Sequence, residues 1–168
     1  MKNEGYILKS NNLIKLAAPY KLLDDWRNAY RFDRYRARQF YAMNSNNYEN
    51  GLKKLAASLN KSGVRFAFTG WSGAYIRAPH GTSNLFLAYV NHFPAESDTI
   101  FRVENEGNVI LYVPQDEGVF QFVTECEYGT VVSDAQLYLD LSKMPGRAEE
   151  QADYLREQSL NWEDINNA

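Results

Sequence analysis

The chain is poor in the residues that build metal sites, disulfides and membrane spans. One cysteine, Cys126, stands in 168 residues, so no intrachain disulfide can form. A reducing cytoplasm is the simple expectation. Its neighbours Glu125 and Glu127 disfavour a thiolate, which argues against a catalytic nucleophile. Only two histidines occur, His80 and His92, and no His/Cys cluster has zinc-ligand spacing. Gly81-Thr82-Ser83 lacks the longer glycine-rich frame and the lysine of a phosphate loop. No apolar run approaches the ~20 residues that cross a bilayer. The start, Met1 to Tyr6, lacks the apolar centre of a secretory signal. These absences predict no metal, no cofactor, no catalytic residue and no membrane.

What is present is a globular composition. Apolar residues make up 45% of the chain, with 12 Tyr, 9 Phe and 3 Trp, enough for a real hydrophobic core. The formal net charge of −3 conceals a split. Residues 1–90 carry 14 Lys and Arg against 5 Asp and Glu, whereas residues 91–168 carry 4 against 16. Two readings follow: a basic face for an anionic partner with an acidic face for a basic one, or halves that neutralise each other in the fold.

Patterning gives a mixed α/β (α+β) domain. Residues 6–16 read as a hairpin around Ser10-Asn11-Asn12. Residues 22–30 read as a helix with Leu22, Leu23, Trp26 and Tyr30 along one face. Residues 32–41 alternate like a strand, which would put Arg34, Arg36 and Arg38 on one face. Leu52, Leu55, Ala56 and Leu59 mark a helix. Residues 64–68 form a strand, 72–78 a short helix stopped before Pro79. Apolar runs at 84–90, 99–103, 109–113 and 119–123 read as strands, the second-last and last joined by a turn at 114–118. Residues 130–132 form a last strand. The central sheet is thus expected to hold five to six strands with flanking helices.

The C-terminal part is the most particular. Ser133 and Gln136 fit a capping box, in which each side chain satisfies a backbone donor at the helix start. Leu137, Tyr138, Leu141 and Met144 give that helix an apolar face, and Pro145-Gly146 stops it. A second helix begins near Arg147, with Glu149 and Glu150 in its first turn, where the helix dipole favours acids. Ala148, Ala152 and Leu155 form its buried stripe, and an Asp140–Arg147 ion pair is expected to brace the bend.

This C-terminal segment resembles the AbiEi-type antitoxins, the transcriptional regulators of type IV toxin–antitoxin systems. So do three further stretches in the same order. They are Leu22-Leu23 with Trp26 and Tyr30, Phe66 to Ala74 with its Thr69-Gly70 turn, and Asn108 to Gly118. The resemblance implies a bacterial regulator that binds DNA, and a nucleotidyltransferase-type toxin as operon partner. An antitoxin of this type need not touch its toxin. The resemblance also implies that the hairpin is the wing of a winged helix. Only five residues precede it, so the chain either starts partway through a longer protein or has lost its reading helix. Residues 1–45 are then a wing remnant with a connecting helix and strand, and residues 46–168 an antitoxin-like core.

The expected DNA contacts are Lys9, Lys15, Arg34, Arg36 and Arg38, extended by Arg31. Arginine forks suit phosphates, and such contacts fix register without reading sequence. The alternative is a nucleotidyltransferase-like domain acting on nucleotides or nucleic acid. Gly70-Trp71-Ser72 between two strands has that layout, but residues 84–90 supply no carboxylate to hold metal ions for phosphoryl transfer. A third reading is an interaction module whose acidic half docks a basic partner.

Overall fold

The computed structural model describes residues 5–10, 13–40, 45–95 and 107–162. Alternating segments give β1 (Ile7–Ser10) and β2 (Leu13–Leu16). Helix α1 (Pro19–Ala29) follows, opened by Pro19, whose missing N–H is no loss at a helix start. A 3-10 turn at Phe32–Arg34 leads into β3 (Arg36–Phe40). Next come α2 (Tyr48–Lys61), β4 (Phe66–Phe68), α3 (Gly70–Arg77), β5 (Phe86–Val90) and β6 (Val109–Val113). Short β7 (Thr124–Cys126) and β8 (Gly129–Val131) precede α4 (Asp134–Leu141) and α5 (Ala148–Ser159).

Six strands form one mixed sheet in the order β3-β6-β5-β4-β8-β7, while β1 and β2 pair only with each other. The hairpin is therefore a separate sheet and not an edge of the core. Strand β5 is buried at every residue, as its unbroken apolar run requires. Alternation sends Phe86 to one face and Leu87 and Tyr89 to the other. Helix α2 covers the first face, with Leu52, Leu55 and Leu59 fully buried and Gly51 against the Phe86 ring. Helices α3 and α4 cover the second: Gly70 lies against Leu87, and Tyr89 bonds Asp140 of α4. Helix α5 packs on α3 and α4 with Ala148, Ala152 and Leu155 inward.

The close approach of α2 to the sheet makes a first prediction. A Cβ on Gly51 would sit 2.2 Å from Phe86 Cζ. Moving that ring would disturb its stacking on Tyr48, at 4.6 Å and 11°. Alanine ordinarily favours a helix interior over glycine by about 1 kcal/mol. Here overpacking, worth about 1–3 kcal/mol, works against that gain. Gly51→Ala is expected to lower the urea midpoint with an unchanged slope, and a raised midpoint would refute the packing argument.

The structure corrects three sequence expectations and leaves one aside. The strand expected over 32–41 begins only at Arg36, because Phe32 turns to pack on Tyr112, ring centroids 4.8 Å apart. The strand expected over 119–123 is replaced by a 3-10 turn at Glu117–Phe120 that buries Val119 and Phe120. The Asp116 carboxylate accepts from Gly118 N at 2.7 Å, and such a local bond competes with strand pairing. Phe122 is left 88% exposed with φ at 56°. Trp26 was expected inward, yet it is 47% exposed; α1 buries Leu23 instead. The strand expected at 99–103 lies outside the described residues.

Candidate nucleic-acid interface and its anchor

The five cations expected to meet DNA occupy three separate elements. In the hairpin, Lys9 stands opposite Ile14 and Lys15 opposite Leu8. Directly paired residues share a face, and successive ones alternate, so the two lysines point to opposite sides. Both are exposed, and among the described residues neither makes an ion pair. They share the hairpin with Leu8, Leu13 and Ile14, each more than 60% exposed. Arg34 closes the 3-10 turn and is not on the strand, which corrects the expected three-arginine face. Arg36 and Arg38 remain on β3, the outermost strand, opposite Val113 and Leu111. Arg36 is exposed and lies 5.9 Å from the Phe93 ring centroid. Arg31, the expected extension, pairs with Asp33 at 3.4 Å.

The hairpin is mounted on α1. Ala17 N donates to Tyr6 O at 2.7 Å, and the Tyr6 hydroxyl donates to Asp25 at 2.7 Å. Lys21 reaches both the Tyr6 ring and Asp25. Helix α1 is in turn fastened to α5 and the segment after it. Arg156 pairs with Asp24 at 2.6 Å, Arg27 with Glu149, and the Tyr20 hydroxyl donates to Trp162 O at 2.9 Å.

The deepest fastening is Asp140, a fully buried carboxylate on α4. Its Oδ1 accepts from the Tyr30 hydroxyl at 2.5 Å, from Gln136 Nε2 at 2.9 Å and from the Tyr89 hydroxyl at 3.0 Å. Its Oδ2 accepts from Thr69 Oγ1 at 2.5 Å. One side chain thus ties together the end of α1, the end of β4, the middle of β5 and α4. Burial pushes the Asp140 carboxyl up to about 6, against the four hydrogen bonds that pull it down. Burial, then the Asp140 charge, pushes the Tyr30 and Tyr89 hydroxyls up as well.

This cluster overturns two expectations. Asp140 does not pair with Arg147; Arg147 is exposed and pairs with Glu150 at 2.8 Å. The capping box is only half made. Ser133 Oγ accepts from Gln136 N at 3.2 Å, but the Gln136 amide turns inward to Tyr30 and Asp140. Residues 30, 69 and 89 lie too far along the chain from Asp140 for any local pattern to join them. The sole sequence signal was the i, i+4 spacing of Gln136 and Asp140.

The Gly70 turn is equally occupied by structure. Gly70 has φ of 51°, and a Cβ there would meet Met144 Cε at 2.6 Å. Ser72 is buried and its Oγ accepts from Leu87 N at 2.9 Å. His80 is exposed and stacks on Tyr154 at 4.4 Å. Among the described residues no cluster of three or more His, Cys, Asp or Glu could hold a metal ion.

Part of the charge split is neutralised inside the fold. Arg27, Lys53, Arg65 and Arg77 of the basic half pair with Glu149, Glu127, Glu117 and Asp134 of the acidic half. The Arg77–Asp134 pair is bidentate, both bonds at 2.8 Å. Lys9 and Lys15 of the hairpin and Arg36 of β3 are exposed and are not among these pairs.

No helix among the described residues is long and apolar enough to cross a membrane. No curated protein and no solved structure matches the chain. A sequence profile described as transcriptional regulator, AbiEi antitoxin, type IV TA system matches residues 15–161, most of the chain and every element from α1 to α5. The chain therefore belongs to the AbiEi antitoxin family, the transcriptional regulators of type IV toxin–antitoxin systems.

Proposed function

We propose that the chain is a non-catalytic, cytoplasmic regulator core that holds DNA by its phosphates through Lys9, Lys15, Arg34, Arg36 and Arg38. The observation that carries this reading is the uneven neutralisation of the basic half. Arginines and lysines near the core are paired with acids, whereas Lys9 and Lys15 project from a hairpin outside the main sheet. In this reading residues 1–45 carry the DNA-facing cations and residues 46–168 form the core that positions them. A nucleotidyltransferase-type toxin is the functional partner, encoded beside it, with no direct contact required.

Sealed polar groups support the non-catalytic part. A nucleotidyl-transferring centre needs open carboxylates for metal ions. Strand β5, beside the Gly70 turn, has none, and Asp140 is fully buried with four donors on it. Its role here is to hold α1 and, through α1, the hairpin.

The test is fluorescence anisotropy against the chain's own upstream duplex and a scrambled duplex over a salt series. Each phosphate contact contributes a slope of about 0.9 in log K against log salt. The triple variant Lys9→Ala, Lys15→Ala, Arg36→Ala is expected to reduce the slope by about 2–3. An unchanged slope would remove these residues from the interface. Equal binding to both duplexes indicates phosphate contact only, and tighter binding to the native sequence indicates base reading.

A further inference from the structure

Away from the hairpin, beside the loop that joins α3 to β5, lies a cleft of about 240 Å³ lined by Tyr48, Trp71, Tyr75, His80, Thr82 and Ser83. Its walls come from two helices. Tyr48 belongs to the first turn of α2, and Trp71 and Tyr75 stand four apart on α3, hence on one face. The Tyr48 hydroxyl is fixed, donating to Leu85 O at 2.6 Å, and its ring stacks on Phe86. Tyr75 lies 5.0 Å from Tyr48, ring to ring, and is 37% exposed. None of these aromatic groups is needed by the DNA reading.

The loop side is equally built. Gln151 of α5 is 1% exposed and straps the loop from beneath. Its Oε1 accepts from Gly81 N at 2.8 Å and its Nε2 donates to Ala78 O at 2.7 Å. Gly81 is pressed on the Trp71 ring, where a Cβ would stand 2.8 Å from Cζ3. The cleft is therefore preformed, as ligand sites usually are. At its rim the Ser83 hydroxyl accepts from Leu85 N and keeps its own proton to donate. A smaller recess shares Trp71, His80, Gly81 and Thr82 with the cleft and opens onto Arg147 and Glu150. Arg147 is 77% exposed, and its ion pair with Glu150 is exposed too, so the guanidinium is easily redirected.

We propose that this cleft binds a free mononucleotide, its base among Trp71, Tyr75 and Tyr48 and its phosphate on Arg147. The volume suits one ring system and is below the range typical of drug-sized ligands. Aromatic walls with hydroxyl groups at the edge match a flat base with a polar rim. The Arg147 guanidinium one recess away suits the phosphate that the base's sugar carries, a charge-assisted bond that would replace its exposed pair with Glu150. The site is independent of the proposed DNA contacts, which involve backbone phosphates on other elements.

The experiment is a nitrogen–proton NMR titration of the intact chain with AMP, GMP, CMP and UMP, with adenosine and inorganic phosphate as controls. Saturable shifts confined to residues 48, 71–83 and 147–151 are expected for at least one mononucleotide. Tyr75→Ala is expected to weaken that binding about tenfold, by loss of a stacking ring. Arg147→Gln, at an exposed position, is expected to weaken the nucleotide while leaving the nucleoside unchanged. Lys9→Ala is expected to change neither, which separates this site from the hairpin. Absence of saturation at about 10 mM, a level well above millimolar dissociation constants, would overturn the proposal. So would binding by an oligonucleotide alone, or shifts centred on the hairpin or β3.

Discussion

Replacing Asp140 with leucine is expected to cost about 3–5 kcal/mol of folding stability, the penalty typical of removing one partner from a buried charged network. Stabilities of such domains are about 5–15 kcal/mol in all, so the loss is a large share. The reason is the number of donors stranded. Tyr30, Tyr89, Thr69 and Gln136 all donate to this one carboxylate. Each buried donor left unsatisfied costs about 1–3 kcal/mol, tempered where hydroxyls find each other. Tyr30 has such substitutes in Tyr35 at 3.3 Å and Tyr89 at 3.4 Å, but Thr69 has none in the cluster. Urea denaturation of the variant at pH 7 checks this. A loss below about 1 kcal/mol would mean that the cluster re-pairs and that Asp140 is no anchor. A milder variant carries the functional consequence. Tyr30→Phe removes one hydroxyl at the end of α1, and any hairpin contact with DNA is expected to weaken while the core stays folded.

Stability is expected to fall by about 3 kcal/mol as pH rises from about 4 to above 6, through Asp140 alone. The sign follows from the direction of the shift. Its folded value is raised to about 6 from the ordinary 3.8. Between those values the native state holds a proton that the unfolded state has released, so stability declines with rising pH. Below 3.8 both states are protonated and the group adds no slope; above 6 both are ionised and the decline is complete. The raised hydroxyls of Tyr30, Tyr48 and Tyr112 titrate above this window and do not disturb it. The exposed Asp25, lowered by its hydrogen bonds to Lys21 and Tyr6, slopes the other way. The clean readout is therefore the difference between the wild type and Asp140→Asn. Asparagine keeps one acceptor for Tyr30, Tyr89 and Gln136 and offers an N–H to Thr69 Oγ1. Its pH profile is expected to lose the decline between about 4 and 6. Parallel profiles for the two proteins would show that Asp140 ionises normally.

The elements legible in the sequence were those whose signal is local and strong. Leu52, Leu55, Ala56 and Leu59 announced α2 by spacing alone, and all are buried. The apolar run at 84–90 announced a buried strand, and the structure places it at Phe86–Val90, buried at every residue. Pro145-Gly146 marked the break between α4 and α5, with Gly146 at φ of 74°. The segments that misled were those where two local rules competed. Val119 to Val123 has strand composition, yet the Asp116 side chain turns the backbone first. Arg34, Arg36 and Arg38 alternate, but the alternation begins before the strand does.

The candidate interface was legible only as a list of cations, since their faces depend on register. Lys9 and Lys15 fall on opposite sides because the hairpin pairs Lys9 with Ile14 and not with Lys15. The Asp140 anchor showed in the sequence only as the i, i+4 spacing with Gln136, because its other donors, Tyr30, Thr69 and Tyr89, come from distant places in the chain. Composition, periodicity and turn chemistry act over a few residues, so the sequence by itself determined most of the element types, a buried central strand, the closing helical pair and the family. Which charges cancel, where the hairpin stands and what one buried carboxylate holds were decided only by tertiary structure. Those depend on contacts up to 142 residues apart, such as Tyr20 with Trp162, and burial is what makes each of them strong.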